Sequence, residues 1–212
     1  MNIFIIALIS YLIGSISGSM VLGKLKGVDI RTMGSGNAGG TNAFRSIGPL
    51  FALGVVFIDI LKGYVSVLYI SDLSFFESNA TIVYEYKQII CGIAAVLGHV
   101  YPLYYNFKGG KGAGTLMGIV GALFPEAILN SLLSWFISLI FTGYVGLSTM
   151  VAGIVLSITV FFIPYLPDIY FYFSMLMALF IIFTHRSNIV RMKEGNENRF
   201  KKIMIFHNLF KK

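Results

Sequence analysis

A chain of 212 residues could form one soluble domain, but 57% of it is hydrophobic, only 12% is charged, and its mean hydropathy is +0.82. The remaining residues cannot clothe so large an apolar fraction in polar surface, whereas a bilayer removes the need to, which excludes soluble enzymes, nucleic-acid-binding domains and disordered tails. The net charge of +7 is therefore read by position, as a marker of the cytoplasmic side, and not as a nucleic-acid footprint.

A spanning helix needs about 20 mostly apolar residues. Runs of that kind lie near residues 3–22, 50–70, 88–105, 112–124, 127–143, 147–163 and 169–184, predicting an all-α bundle of seven transmembrane helices. The fourth run is too short to cross about 30 Å of hydrocarbon and is expected to be a half-span or re-entrant helix. No basic residue precedes the first run, which disfavours a signal peptide, and Gly14 and Gly18 within it read as a close-packing face.

The segment that follows, from Lys24 to Arg45, holds five glycines within fourteen residues, interleaved with Ser35, Asn37, Thr41 and Asn42. Glycines let backbone amides turn inward, and the polar side chains add donors, so the natural guest is phosphate. The spacing is not that of a Walker A loop. In the second run Asp59 and Lys62 stand three apart, where an ion pair inside a bundle is tolerable and two isolated charges are not. The single cysteine, Cys91, excludes an internal disulfide and reads as a small core residue.

The third run ends in Gly98-His99-Val100-Tyr101-Pro102, followed by Phe107-Lys108-Gly109-Gly110-Lys111-Gly112 just before the short fourth helix. Two ammonium groups and free amides at a helix start make a second anion site, and two such loops suggest two phosphate groups. The last run ends in Thr184-His185-Arg186-Ser187-Asn188, and on a continued helix His185 and Asn188 face the same way. The tail from residue 184 to 212 is basic with interspersed Phe200, Ile203, Ile205, Phe206, Leu209 and Phe210, suiting a segment that adheres to anionic headgroups.

Placing the N-terminus outside and the C-terminus in the cytoplasm puts every Lys and Arg except Lys62 and Lys87 on the cytoplasmic side, and leaves the outer segments acidic through Asp72, Glu77, Glu85, Glu126 and Asp168. With no linker, composition break or internal repeat, one membrane-embedded domain spanning 1–212 is expected. Three scattered histidines and one cysteine lack ligand spacing, so no metal or other cofactor is expected.

The order Gly34-Ser35-Gly36-Asn37 with Gly39, Thr41-Asn42 and Arg45, then Gly98-His99 with Tyr101-Pro102, then Phe107-Lys108-Gly109-Gly110-Lys111-Gly112, then His185-Arg186 with Asn188-Ile189, resembles the bacterial acyl-phosphate:glycerol 3-phosphate acyltransferases, the PlsY family. The resemblance runs through most of the chain, including Gly14-Ser15-Ile16 and the stretch from Phe57 to Gly63. It implies a seven-helix enzyme of the bacterial inner membrane, working near the cytoplasmic face, that moves an acyl group from acyl phosphate to the 1-hydroxyl of glycerol 3-phosphate. The products are lysophosphatidic acid and phosphate, in the first acylation of phospholipid synthesis. It further implies that Ser35, Gly36, Asn37, Gly39, Gly40, Thr41 and Asn42 cradle the acyl phosphate, and that Arg45, Lys108, Lys111, His185 and Asn188 bind glycerol 3-phosphate. His99, Lys108 and Asn188 are the expected catalytic groups, with His99, His185 or a substrate phosphate oxygen as acceptor of the hydroxyl proton. The implied partners are these two substrates, membrane lipids and, functionally, an enzyme that makes acyl phosphate.

One departure stands out. Where the family carries Arg-Tyr-Val-Ser-Leu between the fifth and sixth spans, with the serine in the substrate site, this chain reads Gly143-Tyr144-Val145-Gly146-Leu147, and Ser148 is the nearest hydroxyl. The same basic loops without those two groups also suit a membrane transporter or binding protein for a small organic phosphate.

Overall fold

The computed structural model describes residues 2–73 and 84–205. Glu77 and the tail residues Phe206, Leu209 and Phe210 lie outside them. The described residues form helices α1 (Asn2–Gly14), α2 (Gly18–Lys26), α3 (Gly40–Ser46), α4 (Pro49–Val65), α5 (Tyr84–Val100), α6 (Ala113–Leu123), α7 (Glu126–Thr142), α8 (Val145–Phe161), α9 (Asp168–Thr184) and α10 (Arg186–Lys193), and no strand among them. Each of the seven apolar runs is helical. Among the described residues three segments, Ile3–Lys26, Pro49–Ile70 and Tyr84–Tyr105, combine the length and apolarity needed to cross a membrane, or four if the bent pair α9 and α10 is one span. Helix α6, 11 residues long, reaches only about 16 Å, as its short apolar run requires.

The chain divides into two compact units, Met1–Leu123 and Phe124–Lys212. In the first, the spanning α4 buries charged side chains and exposes large apolar ones: Asp59 is 3% exposed while Phe57, two residues away, is 65% exposed. That inversion is what a lipid solvent selects. Glycine lets the helices touch backbone to backbone, because a Cβ at Gly14 would collide with Ala95, one at Gly98 with Tyr11, and one at Gly118 with Ile60. Gly18 instead faces Val55, so the two glycines of the first run serve different neighbours.

The reason is a break. The first run does not continue as one helix: Ser17 is extended (φ −91°, ψ 120°) between α1 and α2, leaving backbone groups unpaired in the middle of a span. The ion pair of α4 satisfies them. Lys62 Nζ donates to the Ile16 carbonyl at 2.8 Å, and Asp59 Oδ1 accepts from the Gly18 amide at 3.3 Å while lying 3.1 Å from Lys62 Nζ. A carboxylate thus meets the start of α2 and an ammonium the end of α1, each at the helix terminus whose partial charge it complements.

In the second unit α7 and α8 form a hairpin that turns at Gly143 (φ +73°), and α9 packs on α8. Helix α9 does not run on through His185, as the expectation of a continued helix required. It bends by 50° into α10, with His185 ending one helix and starting the next.

Candidate active site

The loop from Val28 to Gly39 is built, not slack. Ile30, Ala38 and Ala43 are completely buried against Phe51, Ala52 and Val55 of α4, and Ser19 donates to the Ala38 carbonyl at 2.8 Å. Asn42 organises the interior: its side-chain oxygen accepts from the Ser35 amide (2.9 Å), and its Nδ2 donates to the Ile30 and Met33 carbonyls (3.1 and 2.9 Å). Asn42 is 2% exposed, so it shapes the cradle from behind, while Ser35 and Gly36 form the open rim. Gly34 and Gly36 hold positive φ (+54° and +73°), the left-handed region that glycine enters without strain.

The second loop is fastened to α1 and to the end of α5. Ser15 Oγ accepts from the Leu103 amide, and Tyr11 Oη donates to the Tyr101 carbonyl. The amides of Gly109 and Gly110 are not free, contrary to the expectation from sequence: they donate to the Val100 and His99 carbonyls, terminating α5. Asn106 and Phe107 precede them in left-handed backbone (φ +55° and +58°), costly for a bulky residue such as Phe107. That conformation turns the chain back so that Lys108 and Gly109 border the first loop.

Between the two loops lies a cavity of about 370 Å³, lined by Asp29, Arg31, Thr32, Gly36, Asn106, Lys108 and Gly109. Arg31 and Asp29 escaped the sequence reading. Asp29 caps a 3₁₀ turn over Ile30–Thr32 and takes the Arg31 guanidinium at 2.8 Å, and Arg31 Nη1 donates to the Tyr105 carbonyl at 3.2 Å, tying one loop to the other. The hydrogen-bonded Arg31 side chain holds the Asp29 carboxyl below the ordinary carboxylate range against a weaker opposing effect of burial. The Asp29-x-Arg31 spacing beside the glycines was the available signal.

Behind the second loop His99 is 4% exposed, with Nδ1 3.5 Å from Asp59 Oδ1 and its Nε2 edge packed on Gly110, where a Cβ would collide with it. Asp59 and Lys62 are therefore joined by His99. Arg45 sits on the exposed side of α3 and Lys111 is half-buried just before α6. Gly39, Gly40 and Thr41 form the half-buried entry to α3, and Asn37 Nδ2 covers Gly39. Gly114 packs on the Asp59 side chain, so its absent methyl serves close packing in α6.

In the second unit His185 and Asn188 are both buried. His185 Nδ1 lies 2.8 Å from the Ile181 carbonyl, and Asn188 Nδ2 donates to Glu197 Oε1 at 2.9 Å, while Arg191 Nε meets Glu197 Oε2 at 2.6 Å. Asn188 packs directly on Gly146, where a Cβ would come within 2.8 Å of its amide. Ser148 does not stand in for a serine there. It is wholly buried and donates to the Tyr144 carbonyl of its own helix. Among the described residues no cluster of His, Cys, Asp and Glu could hold a metal ion.

These features define an all-helical membrane protein with a glycine-framed, cationic pocket. Residues 4–195 match the family described as glycerol-3-phosphate acyltransferase, and the chain belongs to that family. The glycerol-3-phosphate acyltransferase of Aquifex aeolicus is 38% identical over 200 residues, covering 94% of this chain and 100% of its own. A crystal structure of PlsY (YgiH), an integral membrane glycerol 3-phosphate acyltransferase, in the glycerol 3-phosphate form is 34% identical, with both chains covered completely and a TM-score of 0.82. Its lysophosphatidic acid form is 35% identical, with 94% of this chain and 96% of its own covered and a TM-score of 0.81.

Proposed function

We propose that this acyltransferase moves an acyl group from acyl phosphate to the 1-hydroxyl of glycerol 3-phosphate, releasing lysophosphatidic acid and phosphate, as a single seven-span domain of the bacterial inner membrane with its active site near the cytoplasmic face. The observation that carries the reading is the cavity bordered by Gly36 of one loop and Lys108 of the other, lined also by the Asp29–Arg31 pair: a polar recess in which the Lys108 ammonium is the charge left unbalanced by Asp29. Ser35, Gly36, Asn37, Gly39, Gly40 and Thr41 cradle the acyl phosphate on a loop shaped by Asn42. Arg45, Lys108, Lys111, His185 and Asn188 hold glycerol 3-phosphate, and His99, Lys108 and Asn188 are the catalytic groups.

The hydroxyl oxygen bonds to the anhydride carbonyl carbon, the bond from that carbon to the phosphate oxygen breaks, and the hydroxyl proton leaves with the phosphate. Acyl phosphate is already activated, so alignment and stabilisation of the developing charge suffice, and no covalent acyl-enzyme is needed. The experiment is to give purified protein in lipid palmitoyl phosphate and labelled glycerol 3-phosphate. Equimolar lysophosphatidic acid and phosphate are expected, whereas uptake of the phosphate ester into vesicles without ester formation would support the transporter reading.

A further inference from the structure

The turn between α7 and α8 has neither a cationic nor a hydroxyl side chain at residues 143 and 146, yet another segment brings a cation to it. Beyond residue 195, where the family match ends, the chain turns at Gly195 (φ +74°) and returns to this hairpin. The Phe200 amide donates to the Gly143 carbonyl at 2.9 Å, and Met204 packs where a Gly143 side chain would be. Arg199 lies between these anchors. Its Cβ is 3.5 Å from the position a Gly143 Cβ would take, its Nε donates to the Thr142 carbonyl at 3.2 Å, and its guanidinium lies 4.7 Å over the Tyr144 ring.

We propose that Arg199 is a substrate-binding residue that brings, from the C-terminal segment, a phosphate-binding guanidinium to the turn where position 143 is glycine. The inference rests on the acyltransferase reading above, and assigns Arg199 to the phosphate of the acceptor. Three features make it a binding group and not merely a tether. Among the described residues only Nε is spent on backbone, and stacking on Tyr144 fixes the plane of the fork without consuming its terminal donors. The side chain is exposed, so a solute can reach it. The neighbouring carboxylate, Glu197, is engaged by Arg191 and Asn188, so its charge is already balanced, and that same contact ties the segment to Asn188, which packs on Gly146. Met204 occupies the space of a side chain at 143 and the positive φ there disfavours one, so a cation at this turn has to arrive from elsewhere.

A phosphate monoester could come from glycerol 3-phosphate or from an anionic lipid headgroup, and the test separates them. Steady-state kinetics of the full chain in phosphatidylcholine nanodiscs are compared for wild type, Arg199→Ala, Arg199→Gln and Arg199→Lys, varying each substrate in turn. The expected result is a rise of roughly tenfold or more in KM for glycerol 3-phosphate in Arg199→Ala and Arg199→Gln, with KM for palmitoyl phosphate unchanged. Arg199→Lys recovers part of the loss, and added guanidinium ion restores the alanine variant. Arg199→Gln keeps a donor for Thr142 without the charge, so it decides the question if the alanine variant does not accumulate. An unchanged acceptor KM, an equal loss toward both substrates, or an effect seen only in bilayers containing phosphatidylglycerol would overturn the assignment. Wild type that forms no ester would refute the acyltransferase reading itself, and this inference with it.

Discussion

Replacing Asn42 by alanine removes one buried carboxamide and three hydrogen bonds that span the loop, to Ser35, Ile30 and Met33. At a net value of about 1 kcal/mol each, the loss is about 3 kcal/mol, and more if the Ile30 and Met33 carbonyls stay dry. Because Ile30, Ala38 and Ala43 still anchor the segment, the cost falls on the local order of residues 28–39 and not on the whole bundle. Asn42→Asp is the sharper probe: it keeps an acceptor for the Ser35 amide but loses both donors and sets a carboxylate against two carbonyls. Amide exchange across the loop, with KM for acyl phosphate measured in parallel, should show faster exchange and weaker donor binding in both variants, the aspartate being the worse. Wild-type exchange and KM in Asn42→Ala would refute the view that this side chain builds the cradle.

Lys62→Met should destabilise the protein strongly, by about 3–5 kcal/mol, because it leaves Asp59 buried without its cation and uncaps Ile16. Asp59→Asn with Lys62→Met should then be milder than the sum of the single changes, as thermal unfolding in detergent can establish. Arg31→Ala should weaken glycerol 3-phosphate binding by releasing the Tyr105 carbonyl and so the Lys108 loop, measurable as a raised acceptor KM with normal insertion. Because the Asp29 carboxyl is held below its ordinary range, the Asp29–Arg31 tether is complete above the usual aspartate pKa and is lost only as pH falls through the lowered value. Acceptor KM should therefore be flat with pH across the neutral range and rise at the acidic end, a rise that Asp29→Asn abolishes.

The helices were legible in the sequence because lipid demands long apolar runs, and all seven of them are helical. The break after Gly14 was not legible, because it is stabilised by Asp59 and Lys62, which lie more than forty residues away in sequence. The spacing of that pair did announce its bond, while the addition of His99 depends on how α4 and α5 pack. Glycine clusters marked both loops, yet which amides remain open was decided by the end of α5, where Gly109 and Gly110 are consumed. The bend at His185 and the partnership of Asn188 with Glu197 come from a return of the chain that no local periodicity encodes. The tail, read as adhesive to headgroups, sends Phe200 and Met204 to the α7–α8 turn.

The most direct test of the account couples phosphate release to lysophosphatidic acid formation from palmitoyl phosphate and glycerol 3-phosphate, for wild type beside Arg45→Ala and Lys108→Ala. Turnover by wild type and its loss in both variants is expected, with each variant inserted and folded normally. Ester formation that survives both substitutions, or acyl phosphate bound by wild type without transfer to glycerol 3-phosphate, would contradict it.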